Sequence, residues 1–173
     1  SVLRMERKLP YYMAYPTPLL YDDERIERRD LEYMKSMYPD TAKRALPYVE
    51  DYVGVVQNVH RMLRPGGVFL FSCEHPVFTA EGSQDWTYNP DGSIAHFPVD
   101  NYYYEGRRTA RFLGEEVTKY HRTLTTYLMG LLQNGFAITA VAEPMPPREM
   151  WDMPGMKDEM RRPMMLIIRA VKQ

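Results

Sequence analysis

The chain has 173 residues, with 22 basic against 23 acidic side chains and 45% hydrophobic content. That length fits one domain with a real core, and the near-cancelling charge leaves no global electrostatic case for binding nucleic acid or an anionic membrane. The single Cys73 excludes an intrachain disulfide framework, and no apolar run approaches the ~20 residues needed to span a bilayer.

Residues 1–21 carry Pro10, Pro16, Pro18 and four tyrosines (Tyr11, Tyr12, Tyr15 and Tyr21). Prolines this close forbid a regular helix or a central strand, so an extended arm is expected. The opening Ser1–Lys8 has no signal-peptide core, which points to a cytoplasmic protein. Asp22 to Tyr38 reads as a helix with an acidic first turn, ended by Pro39. Asp40 can cap a short helix over 41–46.

Pro47 suits the first turn of a further helix. Val49, Tyr52, Val53, Val56, Val59, His60 and Leu63 recur at helical spacing, the strongest such pattern in the chain. Arg64-Pro65-Gly66-Gly67 stops it. Val68–Cys73 is a continuous apolar run, read as a strand buried on both faces. From His75 to Arg122 there is little period but many aromatics, which predicts a long loop that is functional rather than disordered. Thr123 or Thr125 can cap a helix running to Gln133. Phe136–Val141 reads as a strand, residues 148–160 as a partly helical excursion, and Met164–Val171 as a last apolar strand.

The order helix, Leu63-Arg64-Pro65-Gly66-Gly67, buried strand, long loop, helix, Asn134-Gly135-Phe136, strand, strand resembles the second half of class I S-adenosylmethionine-dependent methyltransferases. Three further segments carry the resemblance: Ser72-Cys73-Glu74-His75-Pro76-Val77-Phe78, Tyr120-His121-Arg122-Thr123, and Arg161-Arg162-Pro163-Met164-Met165-Leu166. They are similar to a bacterial subfamily of uncharacterised small-molecule methyltransferases. The resemblance covers residues 52–173 and implies an α/β fold. It would be a partial Rossmann-like sheet of the last three strands, mixed in direction, with flanking helices and an N-terminal helical arm. It also implies S-adenosylmethionine as cofactor and a small molecule as methyl acceptor.

Residues 1–51 do not match the family. The family's glycine-rich cofactor turn lies in its first half, and no glycine precedes Gly54 here. The expectation is therefore a truncated, incomplete enzyme, inactive alone, or else a non-catalytic interaction module or fragment docking on a partner. In the parent family the strand at 68–73 is flanked on its other side by a strand missing here. That leaves an exposed edge open to homo-oligomerisation or to a complementing chain.

Candidate site residues follow from position at the C-terminal edge of the strand at 68–73, where open α/β sheets place ligands. Glu74 and His75 lie there. His75 either acts as a general base or shapes the loop through a backbone bond. His121 could reach the same cleft, with Arg122 clamping a carboxylate or phosphate, or forming a capping cluster. Trp86, Tyr103 and Tyr104 either stack on a flat substrate or a methyl-sulfonium, or cluster within the loop. His60 is expected to be a satisfied core histidine, Arg161 and Arg162 a solvated turn, and Cys73 an inert buried thiol. Four histidines and one cysteine offer no metal-ligand spacing.

Overall fold

The computed structural model describes residues 46–112 and 115–173. The arm and both helices expected before residue 46 lie outside the described residues.

A short 3₁₀ turn, Leu46–Tyr48, leads to helix α1, Tyr52–Met62. The helix starts three residues later than the apolar pattern suggests. Asp51 caps it by accepting from the Gly54 amide at 2.8 Å. The carbonyls of Val49 and Glu50, which would open an earlier turn, instead accept from the Arg122 guanidinium. After α1 the chain turns at Gly66, whose φ of +75° suits glycine. Gly66 and Gly67 exchange backbone hydrogen bonds with Lys172, each 2.9 Å, and so lead directly into the sheet.

Strand β1, Val68–Glu74, is followed by the one-turn helix α2, Pro76–Thr79. Next come a minimal hairpin, β2 (Thr87–Tyr88) with β3 (Ile94–His96), and a long one, β4 (Gly106–Phe112) with β5 (Glu115–His121). Helix α3, Leu124–Leu132, strand β6, Phe136–Ala142, the short helix α4, Met156–Glu159, and strand β7, Met165–Lys172, complete the chain. The single long loop expected over 75–122 is thus replaced by two hairpins and a helical turn.

The main sheet has the order β1-β7-β6. The final strand inserts antiparallel between β1 and β6, which run in the same direction. Among the described residues the outer edge of β1 pairs with no strand, as the resemblance leads one to expect. β1 is not buried evenly, however. Phe69, Phe71 and Cys73 are buried, while Val68, Leu70, Ser72 and Glu74 are partly covered. The reason is that α1 and α3 join the face of Phe69, Phe71 and Cys73. Tyr52 and Val56 from α1, Tyr127 and Leu131 from α3, and Phe136, Leu166, Ile168 and Ala170 from the neighbouring strands complete one core cluster.

Two contacts set how the helices sit. Gly130 of α3 faces the Tyr52 ring so closely that a Cβ there would lie 2.7 Å from a ring carbon. The Tyr52 hydroxyl donates to the Tyr127 carbonyl at 2.8 Å. The end of β7 is tied to α1 as well, since Lys172 Nζ donates to the carbonyls of His60 and Leu63 at 2.6 and 2.8 Å. A cation there satisfies helix carbonyls that have no intrahelical partner. His60 is half-buried and packs edge-on against Phe136, with centroids 5.2 Å apart, at the rim of the core rather than within it.

Candidate functional site

The C-terminal end of β1 meets the start of β7, where His75 N donates to Met164 O at 2.8 Å. The hairpin β4–β5 closes over this end. Its inward positions alternate along β4 as Gly106, Arg108 and Ala110, opposite His121, Lys119 and Val117 of β5. Several side-chain ties anchor the hairpin to the rest of the fold.

The first tie is polar and largely dry. Lys119 Nζ lies 2.6 Å from Glu74 Oε1 and 2.7 Å from Gln84 Oε1, and Gln84 Nε2 donates to Glu74 Oε2 at 3.0 Å. The Lys119 side chain is 3% exposed and that of Glu74 18%. Each partner therefore needs the other, because a buried charge left alone is costly. The second tie is His121, fully buried, with Nδ1 2.8 Å from Thr79 Oγ1 and Nε2 2.8 Å from the Tyr102 carbonyl. A carbonyl can only accept, so Nε2 carries the proton and Nδ1 accepts from the threonine hydroxyl. The third is Arg108, whose Nε donates to Ala80 O at 3.1 Å.

His75 caps α2. Its Nδ1 accepts from the Val77 amide at 3.1 Å, which leaves the proton of the neutral ring on Nε2. That nitrogen lies 2.8 Å from Glu143 Oε1 without an aligned hydrogen bond. Burial lowers the pKa of His75 against the opposing pull of Glu143. Burial lowers that of His121 as well, against its bond to Tyr102. Both rings are thus held neutral. A neutral buried histidine supports the native state above the unfolded pKa of about 6.5, and that support is lost as pH falls below it. Urea midpoints measured from pH 8 to 5 should fall below about pH 6.5, and His121→Asn should flatten the dependence. Burial raises the pKa of Glu105, but bonds to its carboxylate from Thr126 and Thr123 prevail and hold it below the usual range. Its own loss of stabilisation begins lower, below the ordinary carboxylate pKa of about 4.3.

The structure brings Glu74, His75 and His121 to one end of the sheet, the two histidines linked through Thr79, which also lies 3.5 Å from the His75 carbonyl. Neither histidine presents an uncommitted ring nitrogen to an open cleft. Arg122 is buried. Its guanidinium bonds to the carbonyls of Tyr120, Val49 and Glu50 and lies 5.7 Å from the centre of the Tyr52 ring, so it secures the segment before α1. Trp86 belongs to an aromatic cage with Phe97 and Phe78 around Arg162. Tyr103 and Tyr104 are not part of it and stand 87% and 74% exposed. Arg161 is exposed, as a solvated turn requires, whereas Arg162 is buried. Cys73 is inert, its thiol pushed up to about 12 chiefly by burial.

Lys119, Gln84, Thr79 and Glu143 complete this constellation and do not stand out in the sequence. A buried lysine in a strand looks like any solvated one until its partner is placed. Among the described residues no group of three or more His, Cys, Asp or Glu could hold a metal ion, and no helix is long and apolar enough to cross a membrane.

Comparison with known proteins gives these features a context. No family model matches the chain. A crystal structure from Listeria monocytogenes, described as a candidate S-adenosylmethionine-dependent methyltransferase, is 53% identical with a TM-score of 0.71. The match covers 75% of this chain and 58% of that one. The structure of an S-adenosylmethionine-dependent methyltransferase from Mesorhizobium loti is 39% identical with a TM-score of 0.66, covering 74% of this chain and 58% of that one. An uncharacterised protein of Haemophilus influenzae is 30% identical over 138 residues, 76% of this chain and 52% of its own length. The chain thus resembles S-adenosylmethionine-dependent methyltransferases in sequence and has a partial Rossmann-like α/β fold. It spans little more than half the length of the relatives it matches.

Proposed function

We propose that this chain serves methyl transfer from S-adenosylmethionine to a small molecule, and that its residues form the acceptor-side wall of the cleft rather than the cofactor cradle. The observation that carries this reading is the 53% identity, at a TM-score of 0.71, with the methyltransferase-like structure from Listeria monocytogenes. In this reading the described residues do not hold the cofactor on their own. Glu74, the carboxylate at the C-terminal end of β1, is already bonded to Lys119 and Gln84. Residues 1–51 contain no glycine for a phosphate- or carboxylate-cradling turn.

The wall itself is well built. Hairpin β4–β5 is fixed to β1 and α2 by Lys119 and His121, and His75 fixes the chain leaving β1. In this reading His75 and His121 assist by positioning. Each would have to give up a bond to take a proton from the acceptor. Of the other candidates for acceptor contacts, Glu74 is bonded to Lys119, Arg122 to the carbonyls of Val49 and Glu50, and Tyr103 and Tyr104 are exposed, so in this reading Trp86, held in its aromatic cage, is the one best fixed to meet an acceptor.

Titration of S-adenosylmethionine into the 173-residue chain by calorimetry tests the division of labour. The expected result is no saturable binding in the micromolar range, and hence no methyl transfer by these residues alone. A dissociation constant near 1 μM, about −8 kcal/mol, would overturn it. A second reading, a module that docks on a partner, is favoured by one observation: among the described residues the outer edge of β1 is unpaired. An open edge is a template for another strand, from a second copy or a complementing chain. Light scattering on the same samples should show mass rising with concentration if a second copy pairs there, and a constant monomer mass would remove the homo-oligomer form of that reading.

A further inference from the structure

A cavity of about 210 Å³ opens beside α2, between β3 and the turn that leads into β7. It lies at the same end of the sheet as Glu74, because Glu74 pairs with Met165 and Val77 follows directly in α2. Its polar lining is Arg161, Arg162 and His96, and its apolar lining includes Val77, Phe97 and Val99. Among the described residues no carboxylate lines it. The two acids that pair with the arginines, Asp158 and Glu159, belong to α4 and are not among the lining residues.

The two guanidiniums are held differently. Arg162 is rigid. It makes a two-pronged pair with Glu159 at 2.8 and 3.1 Å, and its guanidinium carbon lies 4.7 Å from the centre of the Phe78 ring and 5.0 Å from those of Trp86 and Phe97. Its Nε is buried and has no oxygen partner, so the ring faces are its surroundings. Arg161 also lies over the Trp86 ring, its guanidinium carbon 5.2 Å from the ring centre, but it is the more exposed of the two. A guanidinium has five N–H donors. Arg161 gives one to Asp158 at 3.1 Å and one to the Ala95 carbonyl, which leaves others for a ligand. The Asp158 pair is surface-exposed, and such pairs hold weakly.

From this geometry we infer that the cavity is a subsite for a small organic acid. Its carboxylate would face Arg161, and a compact, flat apolar body would lie against Phe97, Val77 and Val99. The volume is below that of sites for drug-sized ligands and suits a single small ring. A planar guanidinium matches a carboxylate in geometry as well as charge. The inference rests on the methyl-transfer reading only in making this acid the methyl acceptor. The site itself follows from the lining.

Benzoate is the probe, with benzamide as its uncharged counterpart, each titrated into the full 173-residue chain without cofactor and followed by methyl resonances of Val77 and Val99. Benzoate is expected to saturate and shift both residues, with benzamide at least tenfold weaker. Arg161→Gln should weaken benzoate at least tenfold and leave benzamide unchanged. Val99→Glu, which places a carboxylate at an exposed lining position, should weaken benzoate by a similar factor and serves if the arginine variant misfolds. Equal binding of benzoate and benzamide, shifts confined to other residues, or no saturation in the tens of millimolar would overturn the assignment. That outcome would leave the methyl-transfer reading standing. Micromolar cofactor binding would revise the division of labour without touching this site.

Discussion

Lys119→Ala is expected to destabilise the protein by about 3 kcal/mol, because it strands the Glu74 carboxylate where water reaches it poorly. Lys119 Nζ is 2.6 Å from Glu74 Oε1 and 2.7 Å from Gln84 Oε1, and its side chain is almost fully buried. Two opposing contributions decide the size. Attraction within a buried pair is offset by the cost of desolvating both ions, so the pair as a whole adds little. Removing one member leaves the desolvation of the other uncompensated, and that dominates. The double variant Lys119→Met with Glu74→Gln should therefore recover most of the loss. Urea unfolding of the parent, the single and the double variants measures this. A loss below about 1 kcal/mol for Lys119→Ala would mean that the pair behaves like an exposed one. The effect also reaches the proposed wall, since Lys119 is one of the ties that fix β4–β5 to the end of β1.

Ile168→Ala should cost about 4 kcal/mol, near the upper end for deleting a buried branched side chain. Ile168 is fully buried on the central strand β7, paired with Phe71 on one side and Val141 on the other. A strand hydrogen-bonded on both sides cannot collapse to fill the space, so most of the cavity would persist. Chemical denaturation at an unchanged denaturant slope would report the loss. A cost under about 1.5 kcal/mol would show that the cluster of Tyr52, Phe71 and Tyr127 repacks around the gap.

Apolar period and capping chemistry were enough to place α1, β1, α3, β6 and β7 within a few residues, because those signals act locally. Thr123 caps α3 as its type predicts, and Asn134-Gly135 ends that helix with Gly135 at a φ of +81°. The resemblance to methyltransferases, and the β1 edge left open among the described residues, were likewise readable from the order of these elements. The hairpin Gly106–His121 was not. Its strands alternate inward and outward as strands should, but the inward positions hold Arg108, Lys119 and His121, so no apolar period marks them. Those side chains are tolerable inside only because Ala80, Glu74 and Thr79 meet them, the last two from 45 and 42 residues away. The start of α1 was displaced in the same way, by an arginine far along the chain that takes the carbonyls of Val49 and Glu50. The cage around Arg162 gathers Phe78, Trp86, Phe97 and Glu159 from four separate segments. A polar side chain carries no sign in the sequence of whether it will be solvated or buried with a partner, and only the folded chain, by bringing that partner within hydrogen-bonding distance, makes its burial affordable.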